Sequence, residues 1–312
     1  MTDTPARPRL RPLLTAVAVT LTMTLAAAAA CGPDKDPAPR TVDEVLKQTS
    51  VYGKPKIRIG VAEDQPLMGK LVDGRFEGFD IEIARYLAES LGFNGDSRID
   101  FVPLQTEDRE NALLSGRVNL VVASYSMTPE REKEIDFVGP YFVTKQELLI
   151  RVADRAVVRN LSDLAQPGRE TCVVGGSTGE REFTGRGLKV YPAATNRECL
   201  ERLLAGKSNA FSTDETILAG YLSEHPKDLH VVDVPIGANE RLGVGVSKQD
   251  PALRDLVAFF LRKSFDTGQK TDTSPWLAAY RRTLGPWLGE DVMQPPIDAP
   301  DLVDYDEKAP KG

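Results

Sequence analysis

The chain has 312 residues, with 46 acidic against 39 basic side chains and a formal net charge of −7. That balance argues against a nucleic-acid or anionic-lipid surface. Two His and three Cys with no ligand spacing between them argue against a metal site, and nothing calls for a cofactor.

Residues 1–30 read as an export signal, with Arg7, Arg9 and Arg11 as the basic start, Leu13 to Leu25 as the apolar core, and Ala26 to Ala30 before Cys31. A retained membrane helix is the alternative, because the apolar run is nearly long enough to span a bilayer. The Ala run followed by Cys31-Gly32-Pro33 favours cleavage. The order resembles a bacterial lipoprotein signal, although Ala28 stands where such signals usually carry Leu. The resemblance implies lipidation at Cys31 and a body held at the extracellular face of the cell membrane. Residues 31–50 would be the lipidated Cys and a Pro-rich tether. Residues 291–312, with Pro295, Pro296, Pro300 and Pro310 and no periodicity, would be a flexible tail.

Between the ends, short apolar strands alternate with amphipathic helices. Ile57, Ile59 and Val61 form one face of a strand, and Asp80 opens a helix that buries Ile81, Ala84, Leu87, Ala88 and Leu91. Phe101 to Leu104 is a short strand, Thr106 an N-cap of a helix ending at Gly116, and Val118 to Ala123 a buried parallel strand. Glu147 to Val152 is extended and Leu161 to Leu164 a short helix. Strand Cys172–Val174, loop Gly175–Gly179 and a helix from Glu180 follow. A helix over Thr195–Ala205, a strand over Asn209–Phe211, and a helix headed by Asp214 come next. Val231–Val234 and Leu242–Val246 are strands, and Leu253–Phe265 and Pro275–Leu284 are terminal helices. This alternation predicts parallel sheets with helices on both faces. Ligands in such sheets bind at the carboxyl ends of the strands, which singles out Ser124–Thr128, Gly175–Gly179 and Ser212–Asp214. Two separate sheets facing each other would bring these loops together. Cys172 and Cys199, in an exported and oxidising context, are expected to form a disulfide.

The stretch Ser124-Tyr125-Ser126-Met127-Thr128-Pro129-Glu130-Arg131 carries the most chemistry. Hydroxyls, backbone N–H groups and a guanidinium at one strand end make a carboxylate receptor. The plain alternative is a capped helix start with Arg131 in water. Asp214, heading its helix, reads plainly as an N-cap.

The ordered motifs Asp64-Gln65-Pro66, Gly78-Phe79-Asp80, Leu113-Leu114-Ser115-Gly116-Arg117-Val118, Thr128-Pro129-Glu130-Arg131 with Asp136-Phe137 and Pro140-Tyr141, Gly176-Ser177-Thr178 and Thr213-Asp214 are similar to those of the polar amino-acid-binding proteins of bacterial ABC importers, solute-binding family 3. Within that family the chain most resembles actinobacterial glutamate-binding lipoproteins, the paired cysteines included. The resemblance implies an α/β fold of two Rossmann-like lobes joined by two hinge strands, the type II periplasmic-binding-protein fold. Lobe one would be residues 51–145 plus 238–290 and lobe two 146–237. It also implies that Arg131 grips an α-carboxylate, that Ser124 and Ser126 add main-chain and hydroxyl contacts, that Ser177 and Thr178 supply donors from the opposite lobe, and that Asp214 binds the α-ammonium. Arg109, with Thr106 three residues earlier, would face a distal carboxylate and select acidic ligands. The alternative is a solvated Arg109 paired with Asp108 or Glu110. Glu63 and Asp64, where relatives often carry a cation, would either orient Arg109 or suit the pocket to a neutral or basic side chain. Leu67 and Met68 stand where many relatives have a ligand-stacking aromatic.

The resulting expectation is a monomeric, non-enzymatic binding component that delivers an amino acid, glutamate or a relative, to ABC permease subunits. A sensing lipoprotein would use the same site. A dehydratase on this fold would need an acid or base beside the ligand with no structural partner.

Overall fold

A computed structural model of the chain describes residues 39–305; the signal read over 1–30 and Cys31 lie outside them. The described strands are β1 (Ile57–Val61), β2 (Asp64–Gln65), β3 (Gly69–Val72), β4 (Arg75–Glu77), β5 (Ile99–Pro103), β6 (Leu120–Val121), β7 (Asp136–Arg151), β8 (Thr171–Val174), β9 (Val190–Ala193), β10 (Ala210–Asp214) and β11 (Leu229–Val246). The helices are α1 (Val42–Leu46), α2 (Phe79–Ser90), α3 (Arg109–Leu114), α4 (Pro129–Glu134), α5 (Leu161–Leu164), α6 (Thr178–Gly185), α7 (Asn196–Leu204), α8 (Glu215–Glu224), α9 (Pro251–Lys270), α10 (Pro275–Arg282) and α11 (Gly285–Leu288).

Eight strands form one mixed sheet in the order β5-β1-β6-β11-β7-β10-β8-β9. Its outer blocks, β5-β1-β6 and β10-β8-β9, are each parallel. The expectation of two separate sheets is corrected here, because antiparallel β7 and β11 hydrogen-bond to each other and to both blocks. These two strands cross between the halves, giving the two-lobed α/β architecture with a hinge. A sequence scan sees only fragments of them: β11 is interrupted by register shifts between Val232 and Ile236 and again near Glu240. Bulges break the period-two pattern that marks a strand. The small antiparallel sheet β2-β3-β4 was not anticipated either.

The first half packs around α2, whose Ile81, Ala84, Leu87 and Ala88 are all buried as their spacing predicts. Each large apolar side chain so buried stabilises by about 1.5–3 kcal/mol. Phe79 meets the edge of Trp276, which stacks on Tyr280 and donates its indole N–H to Tyr141 O. Gly78 enters α2 at φ +120°, where an added Cβ would stand 2.4 Å from Met68 O, so the turn requires glycine. In the second half, Cys172 of β8 and Cys199 of α7 form the expected disulfide, Cα to Cα 5.3 Å. A loop of this length contributes about 3–4 kcal/mol in the chain-entropy account.

The ends differ from the sequence reading. Within residues 31–50, Thr41 caps α1 in a capping box, and Val42 and Val45 are fully buried against α9. Within the tail, Ile297 and Leu302 are buried, Gln294 Nε2 donates to Leu261 O, and Val303 N donates to Arg40 O. This strap is extended and rich in proline, so its contacts have no periodicity to read. No helix among the described residues is long and apolar enough to cross a membrane.

Candidate ligand-binding site

The carboxyl ends of β1, β5, β6, β8 and β10 converge on one narrow cavity. Gln65, Thr106, Arg109, Ser124, Ser126, Arg131, Gln146, Ser177, Thr178, Asn196, Thr213 and Asp214 line it, with Val174, Gly179 and Ile217. The three loops singled out from sequence therefore meet, as placement at strand ends requires.

Arg131 extends from α4, whose N-cap Thr128 accepts from its backbone N–H, with Pro129 at the first helical position. Its guanidinium is buried rather than in water. Nε pairs with Glu110 at 3.2 Å, Nη1 donates to Ser126 O at 2.8 Å, and Nη2 donates to Gly176 O at 3.1 Å across the cleft. Of five N–H donors, one on each Nη remains for a carboxylate.

Arg109 is 5 % exposed, which removes the solvated alternative. Nε donates to Thr106 O and Nη1 to Ala123 O, both at 3.0 Å, and the guanidinium lies 4.4 Å over the Tyr125 ring. Glu110, expected as its possible partner, binds Arg131 instead. Among the described residues Arg109 makes no ion pair, and its Nη2 makes no hydrogen bond. Burial, and next the nearby Arg131 charge, pull its pKa down to about 10, still far above neutral. Thr106 orients Arg109 through its carbonyl. It lies in a short 3-10 turn preceding α3 and does not cap a helix, contrary to expectation.

Asp214 ends β10 at the N-cap position of α8, yet its side chain makes no capping hydrogen bond. It is 5 % exposed and has no ion pair among the described residues. Burial first, then the Glu240 charge, hold its carboxyl well above the usual range; Arg109 and Arg131 pull the other way. A buried carboxylate in that state is poised to gain most from a cation.

The serines divide their work differently from expectation. Ser124, at φ +45°, turns its N–H onto Asp80 Oδ2 at 2.7 Å and its hydroxyl onto Gln65 Oε1 at 2.9 Å. Its donors are thus spent inside the protein. Asp80, also accepting from Tyr141 at 2.7 Å, is the buried support beneath this loop. Ser126 keeps its hydroxyl free of hydrogen bonds among the described residues. Ser177 Oγ caps α6 by accepting from Glu180 N at 3.0 Å, so α6 starts at Thr178 rather than Glu180, and the Thr178 and Gly179 N–H groups stay open.

Glu63 and Asp64 do not line this cavity. Asp64 accepts from Arg197 N at 3.0 Å and Asn196 Nδ2 at 3.5 Å, closing the rim over the N-terminus of α7. Neither orients Arg109. Met68 is core and Leu67 lies outside the cavity, so neither substitutes for a stacking aromatic.

Gln65, Gln146 and Asn196 were not anticipated as lining residues, nor Asp80 as support; Thr213 belongs to the loop expected over Ser212–Asp214. The motifs holding Gln65, Asp80 and Thr213 were visible, but only depth inside the fold gives them a role. Gln146 carried no signal.

The profile of the bacterial extracellular solute-binding proteins, family 3, matches residues 57–274. The chain is 29% identical to a glutamate-binding protein, GluB, of Corynebacterium efficiens over 245 residues, 75% of this chain and 79% of that protein. It is 27% identical to the glutamine-binding protein GlnH of a Bacillus subtilis ABC transporter, over 77% of this chain and 83% of the relative. The crystal structure of a solute receptor for L-cysteine from Neisseria gonorrhoeae superposes with a TM-score of 0.70 at 27% identity, covering 81% of this chain and 96% of that one.

Proposed function

The chain belongs to the bacterial extracellular solute-binding proteins, family 3, and from that premise we propose that it captures an acidic amino acid, glutamate or aspartate, in the cavity between its lobes. That it is an amino-acid-binding protein rather than an enzyme follows from its relatives, which are binding proteins. The identity of the amino acid rests on one observation: two buried guanidiniums and one unpaired buried carboxylate line the same space. This is the charge complement of a molecule with two carboxylates and one ammonium. Arg131, with the open N–H groups of Thr178 and Gly179 and the Ser126 hydroxyl, receives the α-carboxylate. Arg109, with its unspent Nη2, receives the distal carboxylate, and Asp214 receives the ammonium. Low local dielectric strengthens all three contacts, and an unpaired partner would be costly. The glutamate-binding relative supports this choice of ligand.

Under the same proposal, residues 51–145 plus 238–290 form lobe one and 146–237 lobe two. Lipidation at Cys31 tethers the monomer outside the membrane, where it delivers its ligand to ABC permease subunits. A thermal-shift panel of the twenty amino acids tests the ligand: glutamate or aspartate raises Tm and arginine does not. The reverse ranking would reject the acidic assignment.

A further inference from the structure

Gln146 lies in the middle of β7 and is 2 % exposed, although it carries a fully polar side chain. In the β10/β7 pairing its cross-strand partner is Asp214. Residues paired in this way put their side chains on the same face as close neighbours. Both line the ligand cavity.

The carboxamide orientation is set by its surroundings. Nε2 donates to Glu240 Oε1 at 2.8 Å and to Thr178 Oγ1 at 2.6 Å. Turned over, the amide would set its oxygen against the Glu240 carboxylate, acceptor against acceptor, so the nitrogen belongs on that side. Both N–H donors are then used. The oxygen Oε1 is buried and has no hydrogen-bond partner among the described residues. It lies 3.4 Å from where a Cβ on Gly179 would stand, and Gly179 also lines the cavity. A buried carbonyl oxygen without a donor is costly and demands an explanation. The neighbouring Asp214 carboxylate likewise makes no hydrogen bond among the described residues.

We propose that Gln146 is a ligand-binding residue that accepts a hydrogen bond from the ligand's ammonium beside Asp214. An ammonium brings three N–H donors, enough to satisfy the carboxylate and the amide oxygen together. Glu240 acts from behind, as the positioning residue that keeps the oxygen turned toward the ligand. Thr178 Oγ1 accepts the other N–H and steadies the amide from the second side. This assignment rests on the reading of the cavity as an amino-acid site and adds to it a second acceptor, one that makes the site selective for a primary amine over an oxygen or hydrogen at the same carbon.

The test uses the whole protein and two probes, L-glutamate and glutarate, which lacks the ammonium. Gln146→Met removes both hydrogen-bonding ends at similar volume; its fold is checked by circular dichroism. The variant weakens L-glutamate by about 10- to 100-fold, as loss of a hydrogen bond to a charged group does, and leaves glutarate within about threefold. Equal weakening of both probes would make Gln146 a purely structural residue and overturn the assignment while sparing the proposed function. Failure of the unsubstituted protein to bind any amino acid would end both. Independently of how the variant folds, a crystal structure with L-glutamate places the ligand nitrogen within hydrogen-bond reach of Gln146 Oε1; a separation beyond about 3.5 Å overturns the inference.

Discussion

The inside of the cleft and its rim treat charge in opposite ways. At the rim, polar groups find partners across the two halves: Asp64 with the α7 N-terminus, Tyr221 with Asp64 O, and Lys70 with Glu224. There the backbone also packs directly, Gly220 of α8 lying against Pro66. Inside, Asp214, the Gln146 oxygen and Arg109 Nη2 stay unpartnered among the described residues. The rim is thus held by contacts within the protein, whereas the interior keeps donors and acceptors unspent. Unspent hydrogen-bonding capacity, rather than mere polarity, distinguishes a binding surface from a structural one.

The comparison is broken most severely by Arg131→Ala. It removes the proposed α-carboxylate receptor, for an expected loss of about 3–5 kcal/mol of binding, and with it the bonds to Glu110, Ser126 O and Gly176 O, so circular dichroism checks the fold alongside. Calorimetry showing unchanged affinity would take Arg131 out of the site.

Next in size is the support under the cavity wall. Burial raises the Asp80 carboxyl to about 6, against hydrogen bonds from Tyr141 and Ser124 that lower it. The folded chain thus holds this proton more tightly than the unfolded chain. The stability Asp80 contributes is full below about pH 4 and is lost as pH rises through about 6, a swing of about 3 kcal/mol. Denaturant unfolding of the wild type and Asp80→Asn at pH 4 and pH 7 checks this: the wild type loses about that much relative to the variant on going to pH 7. A constant difference between the two would deny the raised carboxyl.

A subtler break is Gly220→Ala, whose Cβ would stand 2.0 Å from Pro66 O. The substitution touches no cavity residue, yet it props the rim open and lowers affinity by about 1–3 kcal/mol. Small-angle scattering would show a more open particle. Full affinity in the variant would mean that the rim is not needed for closure. The smallest effect is expected from Asp64→Ala. Losing this acceptor for the Arg197 N–H costs about 1 kcal/mol and leaves ligand preference unchanged. A change in ranking among amino acids would return Asp64 to the role in specificity that the sequence suggested.

How far the site could be read in advance follows from the type of information each residue carries. Arg131, Asp214, Ser126 and Thr178 announce themselves through turn chemistry and position after a strand, Arg109 only through the family resemblance, and the structure brings all five to one cavity. Ser124 lines the cavity from the expected loop, although Asp80, 44 residues earlier, claims its N–H and Gln65 its hydroxyl. Glu63 and Asp64 lie off this cavity, Asp64 spending its carboxylate on the N-terminus of α7, whereas Gln65 beside them lines it. The C-terminal strap was misread because proline-rich extended chain looks alike whether it is free or packed.

Local patterning by itself determined much of the run of strands and helices and which strand-end loops should carry a ligand, and the order of the motifs gave the resemblance to the family. These depend on backbone geometry over a few residues and on charge chemistry that does not change with context. Only the tertiary structure decided which donors and acceptors are already satisfied. Glu110 joining Arg131, Asp80 lying beneath Ser124, and Gln146 standing beside Asp214 with an oxygen to spare are meetings between distant parts of the chain. Hydrogen-bond valence is spent in space, so what remains for a ligand cannot be counted along the chain.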